Sequence, residues 1–331
     1  MDLPQLYQRP SASTLLSTLS DLKVEPTSWD NTPKSPTKRR KVSHDGVPAY
    51  LTRIVSSRLA WIEDEKVKEQ IWEAASARLS ERSGRSAMGD LTRTFKIPIE
   101  SFVIPENEAD KTLKIELHEP ALTADNLGLK TWASSYLLAK RFFVLKDQLP
   151  KCSYGGGDEI LELGSGTGLV GLAAAATFRA HTVLTDLPDI VPNLERNRLA
   201  NTIRIEMRSG TAETAVLDWR QPEGLVGSRK RPRNSFKMIV AADPIYSSEH
   251  PRQFVQTVNC HLKREKEASV VLEMPLREAY AEQRKDLRQR MEKLGLKVID
   301  EGEEVGYDDW SDSKDGERKE VRCWWSVWTW G

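Results

Sequence analysis

The chain's 331 residues suffice for one large domain or two smaller ones with a proper core. Its 49 lysines and arginines balance 49 acids, which argues against a general nucleic-acid binder, whose affinity would rest on a basic surface. Cys152, Cys260 and Cys323 have no paired spacing, so neither a disulfide framework nor a zinc site is suggested, and a reducing compartment fits.

Met1-Asp2-Leu3-Pro4 lacks the apolar stretch of a signal peptide, and no run approaches the roughly 20 apolar residues of a membrane span. A soluble, cytoplasmic protein is expected. Residues 1–48 are rich in Ser, Thr, Pro and charge, a composition that favours a disordered tail. Within it, Lys38-Arg39-Arg40-Lys41-Val42 follows Ser35-Pro36 and resembles a nuclear import signal, which would add the nucleus as a second location; the alternative is a solvated tail.

From Tyr50 the pattern changes. Ile54, Val55, Leu59 and Ile62, then Val67, Ile71, Ala75 and Leu79, recur at helical spacing and predict two amphipathic helices through about residue 82. Gly84 and Gly89 break this pattern, and alternation predicts strands over 95–104 and 113–117. Leu127 to Val144 reads as another helix, carrying Trp132. Residues 49–151 are thus expected to be an ordered helical and β extension packed on the domain that follows, 152–331.

In that domain strands and helices alternate. Strands are predicted over 159–163, 181–185, 214–218, 236–242, 268–274, 296–300 and 321–329, with helices near 169–178, 189–200, 249–265 and 277–293. Such alternation implies an α/β fold with a mostly parallel sheet covered by helices on both faces. The last strand, Cys323-Trp-Trp-Ser-Val-Trp-Thr-Trp330, follows an acidic loop instead of a helix, so a hairpin return to an antiparallel edge is expected. Its four tryptophans suit packing on a sheet better than a ligand cage.

Residues 158–168 run an apolar strand into Gly164, Ser165, Gly166, Thr167 and Gly168. Glycines there let a ligand approach the backbone and let the turn take positive φ. The G-x-G-x-G spacing departs from the G-x-G-x-x-G of dinucleotide folds, whose helix N-terminus faces a pyrophosphate. Glu162, just before the glycines, suits a ligand with a positively charged amino group and favours S-adenosylmethionine over NAD; its alternative is a hydrogen-bonded strand residue. Asp186, ending the second strand beside Leu187, can accept both ribose hydroxyls, although Asp186-Leu-Pro-Asp189 also reads as a helix start. Asp218-Trp219 closes the next strand, where an indole can stack on adenine or simply pack. Ile239-Val-Ala-Ala-Asp-Pro-Ile-Tyr246 ends an apolar strand in Asp-Pro-x-Tyr, placing Asp243 and Tyr246 where a methyl acceptor would arrive; a plain strand-end turn is the alternative.

Together these residues resemble the seven-strand S-adenosylmethionine methyltransferases, specifically family 16, the protein-lysine methyltransferases. The family's Glu-Leu-Gly-x-Gly-x-Gly is matched by Glu162 to Gly168, its acid by Asp186, its Leu-Asp-Trp by Leu217 to Trp219, and its Asp-x-x-Tyr by Asp243 to Tyr246 after Ala242. An upstream Gly-x-x-x-Trp corresponds to Gly128–Trp132. The resemblance implies a Rossmann-like sheet. It also implies cofactor contacts from Trp132, Glu162, the glycine turn, Asp186 with Leu187, Asp218-Trp219 and Ala242, and a catalytic pair, Asp243 and Tyr246. No metal is required: His118, His181, His250 and His261 show no ligand spacing. Arg229-Lys-Arg-Pro-Arg233 looks like an insertion, read as a solvated loop or as a contact for an acidic partner or ribosomal RNA, and 202–214 matches poorly.

Residues 50–98 and 117–132 resemble a fungal branch that methylates a lysine of translation elongation factor 2. The expected partner is therefore that protein, with neither membrane nor nucleic acid and with the chain acting as a monomer. The competing activity is methylation of an RNA or DNA base, which the Asp-Pro-x-Tyr turn, the basic loop and the basic tail would suit. A binding module with a degenerate site and a NAD oxidoreductase are weaker alternatives.

Overall fold

The structure is a computed structural model that describes residues 3–23, 46–82, 89–100, 111–121, 127–150, 158–308 and 319–331. The basic cluster 38–42 and Cys152 lie outside the described residues. The chain forms two compact units, the first largely Met1–Leu91.

This first unit holds α1 (Ala12–Asp21), α2 (Val47–Ser56) and α3 (Glu65–Ser80). Helix α1 lies inside the stretch 1–48 that composition marked as disordered. Ser11 caps it by accepting the Thr14 N–H at 3.2 Å, and Leu15 and Leu19 are buried with Leu51, Ile54, Ile71 and Ala75. Composition averaged over 48 residues conceals one short amphipathic turn pair. Helix α2 also stops earlier than its apolar spacing suggests: Leu59 takes a positive φ of 47° but remains in the core.

The second unit comprises Thr92–Glu119, Asn126–Asp308 and Arg318–Gly331. The expected extension 49–151 is therefore divided, because β1 (Leu91–Pro98, from Thr92), β2 (Thr112–Glu119) and α4 (Ala133–Leu145) belong with the large sheet's unit. Strands β1 and β2 pair in a small sheet. Two side chains of α6 (Val191–Glu206) hold β2: Asn197 Oδ1 accepts the His118 N–H at 2.7 Å and Asn201 Oδ1 accepts the Glu116 N–H at 2.9 Å. Each amide also donates back to the carbonyl of the same residue, at 3.1 and 2.7 Å. Two asparagines four apart thus satisfy strand backbone that would otherwise be an open edge.

The large sheet contains β3 (Glu159–Leu163), β4 (His181–Asp186), β5 (Thr211–Val216), β6 (Phe236–Ala242), β7 (Ser269–Pro275), β8 (Leu296–Asp308) and β9 (Lys319–Trp330), in the order β5-β4-β3-β6-β7-β9-β8. Helices α5 (Leu169–Phe178), α7 (His250–His261) and α8 (Ala281–Leu294) complete the unit with α6. Strands β3 to β7 pair in parallel, and β9 is antiparallel to both neighbours. The last strand is therefore interior, not an edge. Trp325, Ser326, Val327 and Trp328 are buried on both of its faces, while β8 alternates towards solvent with Lys297, Glu301 and Glu303 and suits the edge. The tryptophans pack as expected: Trp328 is fully buried with its Nε1–H on Ser326 Oγ at 2.8 Å, and Arg141 lies over Trp325 at 4.1 Å.

Strand β5 starts and ends earlier than predicted, so Asp218 and Trp219 lie beyond its end. The 229–233 loop is neither loose nor free. Arg231, with 3% of its side chain exposed, bonds Glu159 at 2.9 Å and Glu213 at 2.7 Å; Arg229 meets Glu159 at 2.5 Å and Arg233 meets Glu223. Arg229 and Arg231 clamp the start of β3, the end remote from the glycine turn.

Candidate active site

Strand order reverses at β3: β4 and β5 continue on one side, β6 and β7 on the other. The carboxyl ends of β3 and β6 consequently border the crevice in which open α/β sheets bind ligands. All the sequence-predicted residues except Trp132 follow or end one of these parallel strands.

The glycine turn is fixed by backbone geometry. Gly164, Gly166 and Gly168 have φ of 73°, 54° and 93°, a region that costs residues with a Cβ. The N–H groups of Gly164 and Ser165 both donate to Thr185 O, at 3.0 and 2.9 Å. A Cβ on Gly166 would stand 2.9 Å from the Gly128 carbonyl oxygen, so the 128–132 segment lies directly against the turn. The hydroxyls of Thr131 and Thr167 pair at 2.7 Å, and Asn197 donates to Thr167 O at 3.0 Å. Trp132 is the N-cap of α4, where a helix through it was expected.

Glu162 is buried beside the Ser165 hydroxyl and the Gly171 N–H, and among the described residues neither its Oε2 nor Ser165 Oγ has a well-aligned hydrogen-bond partner. Burial pushes the Glu162 carboxyl up to about 8, against the Ser165 hydroxyl and the Gly171 N–H, which favour the ionised form, and with a smaller push from the Asp186 carboxylate. Asp186 accepts the Gly166 N–H on Oδ2 and the Leu187 N–H on Oδ1, both at 2.8 Å. Burial raises its carboxyl and those two amides oppose the rise. One accepted bond per oxygen leaves each with a lone pair for a further donor. The cap-like and ligand-binding readings of Asp186 thus coexist, and Leu187 beside it is exposed.

Trp219 lies against Gly164, whose Cβ would meet its ring at 3.3 Å. It also stands edge-on to Phe254 at 5.5 Å and His250 at 5.8 Å. Packing orients the indole, and the glycine turn is what it faces. Asp218 is engaged by Arg220 at 2.6 Å, which holds its carboxyl below the ordinary range.

Ala242 ends β6, and Asp243 takes a positive φ of 48° while its N–H donates to Glu273 O at 2.8 Å. A left-handed aspartate before Pro244 is backbone strain of the kind found at functional sites. Burial pushes the Asp243 carboxyl up to about 6; Arg277, with Nη2 3.2 Å from Oδ2, opposes this, and Asp308 adds to it. Asp308 pairs with buried Lys130 at 2.9 Å, whose Nζ lies 4.5 Å from the Trp132 ring centroid. Tyr246, 59% exposed, stands edge-on over His250 at 4.1 Å and donates its backbone N–H to His250 Nδ1 at 3.3 Å. Its phenol is raised by desolvation and then by Asp186 and Asp243, so it sits between the two carboxylates' fields.

Sequence reasoning missed Lys130, Arg277, Asp308 and His250. Lys130 lies inside the Gly128–Trp132 segment. Arg277 and Asp308 follow or end β7 and β8, strands whose carboxyl ends point the same way as that of β6. That shared end was the available signal.

Residues 108–293 match the family model described as lysine methyltransferase. The chain is 34% identical over 305 residues to the protein-lysine N-methyltransferase EFM2 of Saccharomyces cerevisiae, covering 87% of this chain and 68% of that protein. It is 30% identical over 331 residues to the protein-lysine N-methyltransferase rrg1 of Schizosaccharomyces pombe, covering 99% and 97%. The chain belongs to the lysine methyltransferase family. It is a protein-lysine N-methyltransferase. Among solved structures, M. jannaschii TYW2 in complex with AdoMet is 12% identical, with a TM-score of 0.40 over 66% of this chain and 83% of that one.

The methyltransferase takes S-adenosylmethionine as its methyl donor, and its residues fit that group. Glu162 Oε2 and Ser165 Oγ, without well-aligned partners among the described residues, answer an ammonium and a polar tail, Asp186 retains acceptors for a ribose, and Trp219 brings its ring against Gly164. Glu162, Ser165, the turn glycines, Asp186 and Trp219, with Trp132 on the facing segment, are the residues that could hold it.

Proposed function

We propose that the methyltransferase modifies one lysine of translation elongation factor 2, with Asp243 and Tyr246 receiving the side chain. Support for the substrate comes from the resemblance of residues 50–98 and 117–132 to the branch acting on that factor. For the roles, the carrying observation is Asp243: a carboxylate only 10% exposed, on strained backbone past the end of β6, on the border of the crevice that holds the glycine turn.

A free lysine has a pKa of about 10.4 and must shed a proton before its nitrogen can attack. Entry into a desolvated site lowers that pKa. Asp243, with its carboxyl at about 6, is ionised at neutral pH and accepts a hydrogen bond from the amine, which orients it. Tyr246, fixed over His250, walls the approach. Bound S-adenosylmethionine would supply an electrophilic methyl, whose bond to sulfur breaks with the electron pair left on the thioether as the amine nitrogen bonds the carbon, so alignment of the amine carries much of the rate.

A nucleic-acid base as acceptor is not favoured, because the arginines of 229–233 are committed to Glu159, Glu213 and Glu223. The deciding experiment incubates the pure full chain with labelled cofactor and lysate from a strain lacking it. One labelled, protease-sensitive band at the size of elongation factor 2, mapped to one lysine, is expected. Label that survives protease and is lost to nuclease would sink the proposal. A cytoplasmic location is part of the same reading, and imaging of a tagged chain checks it.

A further inference from the structure

Two cations flank Trp132 and are held differently. Lys130 has a wholly buried side chain locked to Asp308 at 2.9 Å. Arg277, just past the end of β7, keeps 39% of its side chain exposed; its guanidinium carbon lies 5.4 Å from the Trp132 ring centroid and its Nη2 3.2 Å from Asp243 Oδ2. Lys130 is built into the core. Arg277 reaches the same ring from the surface on a flexible stem.

What Arg277 engages is a buried carboxylate and an aromatic face, the two groups that a long cationic side chain seeks. A substrate lysine directed at Asp243 seeks the same carboxylate and brings the same charge. Two cations at one carboxylate repel each other, so Arg277 opposes the entry of the lysine.

We infer that Arg277 is a placeholder for the substrate amine: it covers Asp243 and the Trp132 face until a lysine enters, and it swings out for transfer. This rests on Asp243 being the acceptor-side carboxylate. Arg277 is then a positioning residue, and the closed form imposes a population cost on substrate binding. It has a second effect on ionisation. Asp243 is faced by Arg277 beyond β7, by Asp308 of β8 with its partner Lys130, by Tyr246, and by the buried Glu273 and Cys323 of β7 and β9. Arg277 is the cation of this set directly paired with Asp243.

The test compares Arg277→Gln and Arg277→Lys in the full chain, with elongation factor 2 purified from a strain lacking the methyltransferase. Calorimetric binding of S-adenosylmethionine certifies each variant as folded. Arg277→Gln should lower the KM for protein substrate by about threefold or more and move the acid limb of kcat/KM upward, and Arg277→Lys should restore both towards wild type. A KM that rises or does not change, or an acid limb that does not move, overturns the placeholder. Carbon-13 titration of the Asp243 carboxyl needs no substrate: its midpoint should rise in Arg277→Gln, and an unchanged midpoint also overturns it. Asp243→Asn separates the two levels. If that variant keeps a kcat within about threefold of wild type, the acceptor reading falls and the inference with it; if its kcat drops by about a hundredfold while Arg277→Gln raises KM, only the placeholder falls.

Discussion

On the β3–β4 side of the crevice the site is made of backbone, and on the β6–β7–β8 side it is made of charge. The first side consists of three left-handed glycines, two amides on Thr185 O and a carboxylate that accepts two more amides. The second consists of Asp243, Arg277, Asp308 and Lys130, side chains brought from four separate segments. Backbone geometry of the first kind cannot easily be altered by the chain. Side chains of the second kind can be exchanged without rebuilding a strand. Variants on the two sides should therefore separate rate from cofactor affinity.

The largest effect is expected on the acceptor side. Asp243→Asn keeps the shape and removes the charge, and should lower kcat by about a hundredfold, the scale of one preorganised electrostatic contact. Affinity for S-adenosylmethionine, measured by calorimetry, should change by less than about threefold, under 1 kcal/mol. Equal loss of both would mean that the two sides are one unit.

Gly166→Val attacks the other side. A side chain there enters a left-handed position and stands 2.9 Å from the Gly128 carbonyl oxygen, which belongs to backbone with little room to move. Cofactor affinity should fall by about tenfold or more, roughly 1.4 kcal/mol. Unchanged affinity would show that the 128–132 segment yields, and that the turn is less fixed than its hydrogen bonds suggest.

This contrast also explains what the sequence revealed. The glycine turn and Glu162 were legible because neighbouring residues carry them, and the parallel strands because strand and helix alternate along the chain; their order in the sheet was not. Arg277 and Asp308 were not, since β7 comes to Asp243 only by pairing with β6, and β8 only through β9. The interior place of β9 was hidden for a similar reason: a hairpin read along the chain does not say which partner lies outside. Helix α1 was lost to averaging, and β5 was set too late because Leu217-Asp-Trp219 continues its apolar pattern past the last ladder pair, Asp186 with Val216.

A subtler effect concerns Glu162, a carboxyl on the backbone side. Its value of about 8 means that it is largely protonated at pH 7 when no cation faces it. A positively charged ligand ionises it, so binding releases a proton and affinity rises with pH up to about 8, approaching tenfold per unit. Glu162→Gln should flatten that rise, as read by calorimetry in buffers of different ionisation enthalpy. For the stability of the free protein the sign is reversed. The folded chain keeps a proton that the unfolded chain loses near 4.5, so stability falls as pH climbs from about 4.5 to about 8, and Glu162→Gln should remove that fall in thermal melts. Identical pH dependence of affinity in both proteins would mean that Glu162 faces no ligand charge, and identical melts that the fold does not raise its carboxyl.

The smallest effect tests whether the acceptor side uses shape as well as charge. Tyr246 is held by its ring over His250 and by its backbone N–H on His250 Nδ1, and neither contact involves the hydroxyl. Tyr246→Phe keeps both contacts, so kcat should drop by only a few-fold, about one ordinary hydrogen bond of 0.5–1.5 kcal/mol. His250→Ala keeps the hydroxyl and removes the support, and should cost more than Tyr246→Phe if the ring walls the lysine channel. The reverse order, with phenylalanine the worse variant, would show that the phenol oxygen itself handles the amine, and the wall would become a hydrogen-bonding partner alongside Asp243.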